Sequence, residues 1–260
     1  MPLALYFEKH GDSGGPRPPL VLVHGGAGSI ATNWEYMMPA LAADRLVIGV
    51  ELQGHGHTPH ADRPYTFENS ADDIAVLVGD LGIPRVDILG FSNGGPTVLR
   101  FAQRHPALTR RCVIASGFMR RDGMIPGFWD NFDAPTADSM PDSLADAYRA
   151  INPDPADLQR MFDLDVAVMR EFRDWTDAEL AVLDAPILFV SGDHDIVLPE
   201  HTVWMASAVA RGRALILPAA HGDFLGSVEA GEPDAVLTRA CVDLIRRLLD
   251  EESVETARVG

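Results

Sequence analysis

Ser92 stands at the centre of Gly90-Phe91-Ser92-Asn93-Gly94, the pattern G-x-S-x-G, between an apolar run that reads as a strand and a segment that reads as a helix. A sharp strand-to-helix turn holds such a serine in a strained backbone conformation, and glycines on either side leave room for it. The hydroxyl then stands clear of the sheet, and the helix N-terminus behind it favours developing negative charge. A serine hydroxyl is a weak nucleophile until a base takes its proton, and the base works best when a carboxylate orients it. The chain offers both groups downstream, in order. Ser191-Gly192-Asp193-His194-Asp195 follows one apolar run, and Pro218-Ala219-Ala220-His221-Gly222 follows the next. Both lie just past the C-terminal ends of expected strands, the edge where open α/β sheets build their sites. Donors for a tetrahedral oxyanion come from the backbone N–H groups of Gly26, after the first central run, and Asn93, after the serine. Taken singly, each is an ordinary glycine-rich turn, solvated carboxylate or loop histidine. Taken in this order they describe acyl transfer by Ser92 and His221 with an aspartate, and spacing alone leaves both Asp193 and Asp195 open for that last place.

Two other chemistries compete for the same stretches. Gly26-Ala27-Gly28-Ser29-Ile30-Ala31 matches G-x-G-x-x-A after a strand, and Glu51 ends the next strand, near the ribose position of a dinucleotide site. A dehydrogenase built on that pattern leaves Ser92, Asp195 and His221 without a role. His55, His57 and His60 invite a metal, but no carboxylate or cysteine completes a ligand set at suitable spacing, so they read as exposed imidazoles on a polar loop. Cys112 and Cys241 are too few for a disulfide framework and lie in apolar stretches, as buried free thiols do.

The elements that must position these residues follow from the hydrophobic pattern. Leu20–Val23, 45–50, 86–89 and 112–115 are short apolar runs alternating with helical segments at 33–43, around Ile74, Leu77, Val78 and Leu81, and at 97–104. Such alternation predicts a mostly parallel central sheet with helices on both faces. From Met119 to Leu183 the alternation stops. That stretch has no strand-like run, carries 14 acidic and 6 basic residues, and interleaves prolines with methionines and aromatics. A structureless loop of this length inside one domain is improbable, so an inserted helical subdomain is expected. Alternation resumes at 187–190, with a helix from about Glu200, a strand at 214–217, and a last helix whose Leu237, Cys241, Leu244, Ile245 and Leu248 share a face. The tail 251–260 is expected to fray.

With 21 basic and 38 acidic residues among 260, the formal charge of −17 disfavours nucleic acid and anionic membrane surfaces as partners. No run approaches membrane-span length, and the chain reads as cytoplasmic.

On its motifs the chain resembles the α/β-hydrolases of the lidded, cofactor-independent type. The resemblance runs over nearly the full length: His24-Gly25-Gly26, Gln53-Gly54-His55-Gly56, the turn around Ser92, the loop from Gly192 to Pro199, and His221. It implies an α/β-hydrolase core at 1–118 and 183–260, with 119–182 as a lid. It also implies Asp195, four residues before Pro199, as the acid, and no cofactor or metal. The function implied is cleavage of a carboxylic ester or lactone of a small, largely apolar substrate through an acyl-enzyme. Carbon–carbon bond hydrolysis, perhydrolysis and cyanohydrin cleavage share the triad, and a non-catalytic ligand receptor could retain the scaffold. Trp34 and Phe224, close in sequence to Gly26 and His221, and the lid residues Met119, Phe128 and Trp129 are the expected apolar wall of the pocket. Arg120 and Arg121 are the one basic pair there that could take a carboxylate. The partner expected is a small molecule, and a homodimer is compatible with the pattern. The family often has an arginine within the stretch Glu51–Gly54, which this chain lacks. Related carbon–carbon hydrolases often carry methionine where Asn93 stands.

Overall fold

The structure is a computed structural model and describes residues 2–251 except 13, 16 and 134. Its apolar runs become strands of a single seven-stranded sheet: β1 (Tyr6–His10), β2 (Leu20–Val23), β3 (Val47–Glu51), β4 (Val86–Phe91), β5 (Thr109–Ala115), β6 (Ile187–His194) and β7 (Gly212–Ala220), in the order β1-β3-β2-β4-β5-β6-β7. All neighbours pair in parallel except β1, which runs antiparallel to β3 at the edge. β1 was not apparent from the pattern. Its sequence Tyr-Phe-Glu-Lys-His is only half-buried, so little hydrophobic signal is needed to hold it.

Why the central runs are uninterrupted is plain from what each side chain meets. Leu20 and Leu22 face one apolar layer, Val21 and Val23 the other. A parallel strand covered on both sides has no polar face to alternate with. One layer is closed by α1 (Ile30–Trp34), α2 (Met38–Leu41) and α9 (Ala235–Asp250). The other is closed by α3 (Phe67–Asp80), α4 (Gly94–Arg104) and α8 (Pro199–Ala208). Both cysteines are buried free thiols within these layers. On α9, Cys241, Ile245 and Leu248 are buried as the spacing predicts, but Leu244 is exposed.

The single helix expected over 33–43 is instead two short ones. α1 starts earlier, on a capping box in which Ser29 and Thr32 exchange side-chain and backbone hydrogen bonds. α2 carries Pro39 in its first turn, where a missing N–H disrupts no helical bond. Between β5 and β6 the described residues form α5 (Asp142–Ile151), α6 (Pro155–Glu171), α7 (Asp177–Ala181) and three short 3-10 segments. The stretch joins no strand of the sheet and makes one isolated bridge, Met124 to Val197. The tail expected to fray lies, from residue 252 on, outside the described residues. No helix among the described residues is long and apolar enough to cross a membrane.

Candidate active site

β4 delivers Ser92 directly into α4. A Cβ on Gly90 would lie 2.2 Å from the Gly94 carbonyl oxygen, and one on Gly94 would lie 2.4 Å from that of Val23. Only glycine fits at either end of the turn, and Ser92 between them takes φ +51°. Its hydroxyl points at His221, with Oγ to Nε2 at 3.2 Å. His221 follows β7, and its Nδ1 lies 2.7 Å from Asp195 Oδ1. The ring of Phe91, inside the same turn as Ser92, flanks the imidazole with centroids 4.8 Å apart.

The two aspartates separate cleanly. Asp195 is buried and accepts from His221, from the hydroxyl of Ser116, and from the N–H groups of Gly192 and Val197. Burial works against its charge, but the hydrogen bonds from His221, Ser116 and Gly192 hold its carboxyl below the usual aspartate range. Asp193 is exposed and accepts from the Ala219 N–H at 3.0 Å and from its neighbour His194, as a turn carboxylate does. Ser116 was not singled out from the sequence. It directly follows β5 with φ +50°, another non-glycine residue in the left-handed region besides Ser92.

Gly26 and Asn93 do come together. A Cβ on Gly26 would lie 2.9 Å from Asn93 Nδ2, so the loop after β2 rests on the start of α4. Beneath it, His24 is fully buried. Its Nε2 accepts from the Leu52 N–H at 3.0 Å, and its Nδ1 faces the Gly25 carbonyl at 2.7 Å. That arrangement needs a neutral ring, and burial, with His55 nearby, pushes its pKa down to about 3.

Asp165, on α6, also reaches this loop. Its Oδ2 accepts from the Ala27 N–H at 2.6 Å and lies 3.2 Å from His55 Nε2. Sequence reasoning passed over it as one acidic residue among fourteen. A signal was present: Leu158, Met161, Val168 and Phe172 form a stripe at helical spacing, and Asp165 occupies a position where that stripe calls for an apolar side chain.

Several expectations need correction. His55 is not an exposed loop imidazole; it is fully buried, tilted against the rings of His24 and Tyr65. His57 is exposed and His60 half-buried, and among the described residues no cluster of three or more His, Cys, Asp or Glu could hold a metal ion. Glu51 is turned inward, accepting from the N–H groups of Ile30 and His57, and so is not offered to a ribose. Trp34 and Phe224, expected at the pocket wall, are fully buried in the apolar layer against α9, which packs them into the core. Met119 is buried in the other layer, its N–H donated to His201 Nε2. Phe128 and Trp129 pack with Phe132 in one half-buried aromatic group, in which Trp129 stacks flat on Phe172. Arg120 lies over the ring of Trp204 and Arg121 over that of Trp129.

A family model described as the alpha/beta hydrolase fold matches residues 18–178, more than half the chain. The chain belongs to the α/β-hydrolase fold family. Among curated relatives, the dihydrolipoyllysine-residue acetyltransferase component of the acetoin cleaving system of Pseudomonas putida is 29% identical over 228 residues, 84% of this chain and 57% of that protein. A pimeloyl-[acyl-carrier protein] methyl ester esterase of Neisseria meningitidis serogroup A is 29% identical over 267 residues, 90% of this chain and 79% of the esterase. The chain thus spans little more than half the length of the first of these. Among solved structures, the enol-lactonase of Burkholderia xenovorans LB400 superposes with a TM-score of 0.69 over 95% of this chain and 96% of its own, at 23% identity.

Proposed function

We propose that the protein is a serine hydrolase that cleaves a carboxylic ester or lactone of a small, largely apolar substrate through an acyl-enzyme. The observation that carries this reading is the strained Ser92, with its hydroxyl 3.2 Å from an imidazole that is itself held at 2.7 Å by buried Asp195. His221 takes the Ser92 proton as Oγ attacks the carbonyl carbon. The N–H groups of Gly26 and Asn93 then stabilise the oxyanion, and Asp195 stabilises the imidazolium. Collapse expels the alcohol, which takes the proton from His221. Water, deprotonated by the same imidazole, then releases the acid. The chain's own residues supply every proton transfer in this sequence. The helical insertion between β5 and β6 acts as the lid. A neutral substrate is favoured by the −17 charge, which lowers the local concentration of anions.

A relative named as an esterase, and a structural neighbour named as an enol-lactonase, support the choice of ester or lactone. The test is a panel of chromogenic esters and lactones of graded acyl length, with intact-mass detection of a phosphonate adduct. One adduct on the wild type, none on Ser92→Ala, and turnover of at least one neutral ester or lactone are expected. Labelling of Ser92 without turnover of any panel member overturns the ester-hydrolase reading.

A further inference from the structure

We propose that Asp165, carried by the helical insertion, is a positioning residue that holds the oxyanion loop in its working shape, so that the site is complete only with the insertion seated on the sheet edge. The inference rests on the reading of Ser92 as the nucleophile. Ala27, next to Gly26, has φ +54°, a conformation an alanine does not hold unaided. Its N–H is fastened at 2.6 Å to Asp165 Oδ2, a group 138 residues away in sequence. The same oxygen would lie 3.4 Å from a Cβ on Gly26, so the contact falls on the turn that presents the oxyanion donor. Without that acceptor Ala27 is free to leave the left-handed region, and the Gly26 N–H moves with it.

A carboxylate placed only for packing would not stand here. Asp165 is buried on an apolar helix stripe, and its Oδ1 has no hydrogen-bond partner among the described residues. Nor is bare negative charge useful beside a developing oxyanion. His55 answers the second point. Its Nε2 lies 3.2 Å from Asp165 Oδ2, and its Nδ1 faces the Gln53 carbonyl at 3.0 Å. Burial pushes its pKa down, but the charge and hydrogen bond of Asp165 outweigh this and hold it above the ordinary histidine value. Both ring nitrogens of His55 thus face oxygen acceptors, and the imidazole lies against Asp165 from the flank while that oxygen holds the loop.

The experiment compares Asp165→Leu with Asp165→Asn in the full chain, on an ester that the wild type turns over. Leucine suits the helix stripe and removes the acceptor; asparagine keeps an acceptor oxygen and drops the charge. For Leu we expect kcat to fall about ten- to hundredfold, a fraction of what losing an oxyanion donor outright costs, with KM within about threefold. Asn should stay within about threefold of wild type. Adding Ala27→Gly to Asp165→Leu should recover part of the lost kcat, because glycine adopts positive φ freely. Thermal melts separate this from misfolding, since a merely structural role would lower the folded fraction without moving kcat per folded molecule. Undiminished kcat in folded Asp165→Leu, or an equal loss in Leu and Asn, overturns the proposal. Turnover surviving in Ser92→Ala would instead overturn the nucleophile reading beneath it.

Discussion

At the C-terminal edge of the sheet Ala27, Ser92 and Ser116 all hold positive φ, and they are the only described non-glycine residues that do. The N-terminal edge has none of this strain. There the buried charges form a network: Arg45 reaches Asp87 and Asp250, Arg110 reaches Asp87, and Arg110 and Arg111 donate to carbonyls at the end of α9. Each left-handed residue costs about 1–2 kcal/mol, so three of them on one edge need surrounding structure to maintain them. The other edge uses comparable groups to tie the end of α9 to β4, β5 and the loop before β3. Buried ionisable residues alone therefore do not mark the site. Their coincidence with backbone strain does.

The sharpest way to break this comparison is Ser92→Ala, which should lower turnover by about 10⁴-fold or more while leaving the melting temperature within a few degrees. Steady-state rates beside a thermal melt check it. A stability loss matching the activity loss would mean the two edges do not differ in kind.

Asp195→Asn should cost about 10³- to 10⁴-fold in turnover, the scale seen when a triad carboxylate is lost, and Asp193→Asn about tenfold or less. The reverse ranking at unchanged folding would make Asp193 the acid in spite of its exposure.

On the opposite edge, Arg45→Met removes a fully buried guanidinium and leaves Asp87 and Asp250 short of a partner. We expect about 3 kcal/mol of lost stability, a fall in melting midpoint of about 6–12 °C, and unchanged turnover per folded molecule. Lost turnover in the folded fraction would link the two edges.

In the pH dependence of stability the two edges should differ in sign. His24 and His201 are buried and neutral, pushed down to about 3 and about 4 by burial. Below the ordinary histidine range the unfolded chain binds protons that these sites refuse, so each removes stability as pH falls, by about 1.4 kcal/mol per unit. Asp87 is pushed up to about 6 by burial, against Arg110 and Arg45. Between about 6 and the ordinary aspartate value the folded state binds the extra proton, so this site adds stability as pH falls. Denaturant melts from pH 4 to 7 should show His201→Gln flattening the acid loss and Asp87→Asn steepening it. Two variants shifting the slope in the same direction would refute the contrast.

The sheet was legible because its strands are buried on both faces and read as uninterrupted apolar runs. β1 and the break between α1 and α2 were not. The first lies at a half-buried edge with little pattern, and the second is set by a local capping box that hydrophobic spacing does not register. The aromatics around the site misled for a related reason. Nearness in sequence to Gly26 or His221 says nothing about the face of the sheet on which Trp34 or Phe224 lands, whereas Phe91, which does flank the imidazole, lay inside the motif itself.

By itself the sequence determined that a serine, a histidine and an aspartate would meet at one edge of a parallel sheet. Strand-end motifs in order suffice for that, because parallel strands with helical crossovers bring their C-terminal ends to the same side. Only the tertiary structure shows Asp195, and not Asp193, against His221, since two residues two apart in a loop differ by burial and hydrogen bonding rather than by position. It alone brought Ser116 to Asp195, and Asp165 with His55 to the loop after β2. Those contacts span 79 and 138 residues, and no local pattern records which carboxylate of an acidic helix will be the one folded inward.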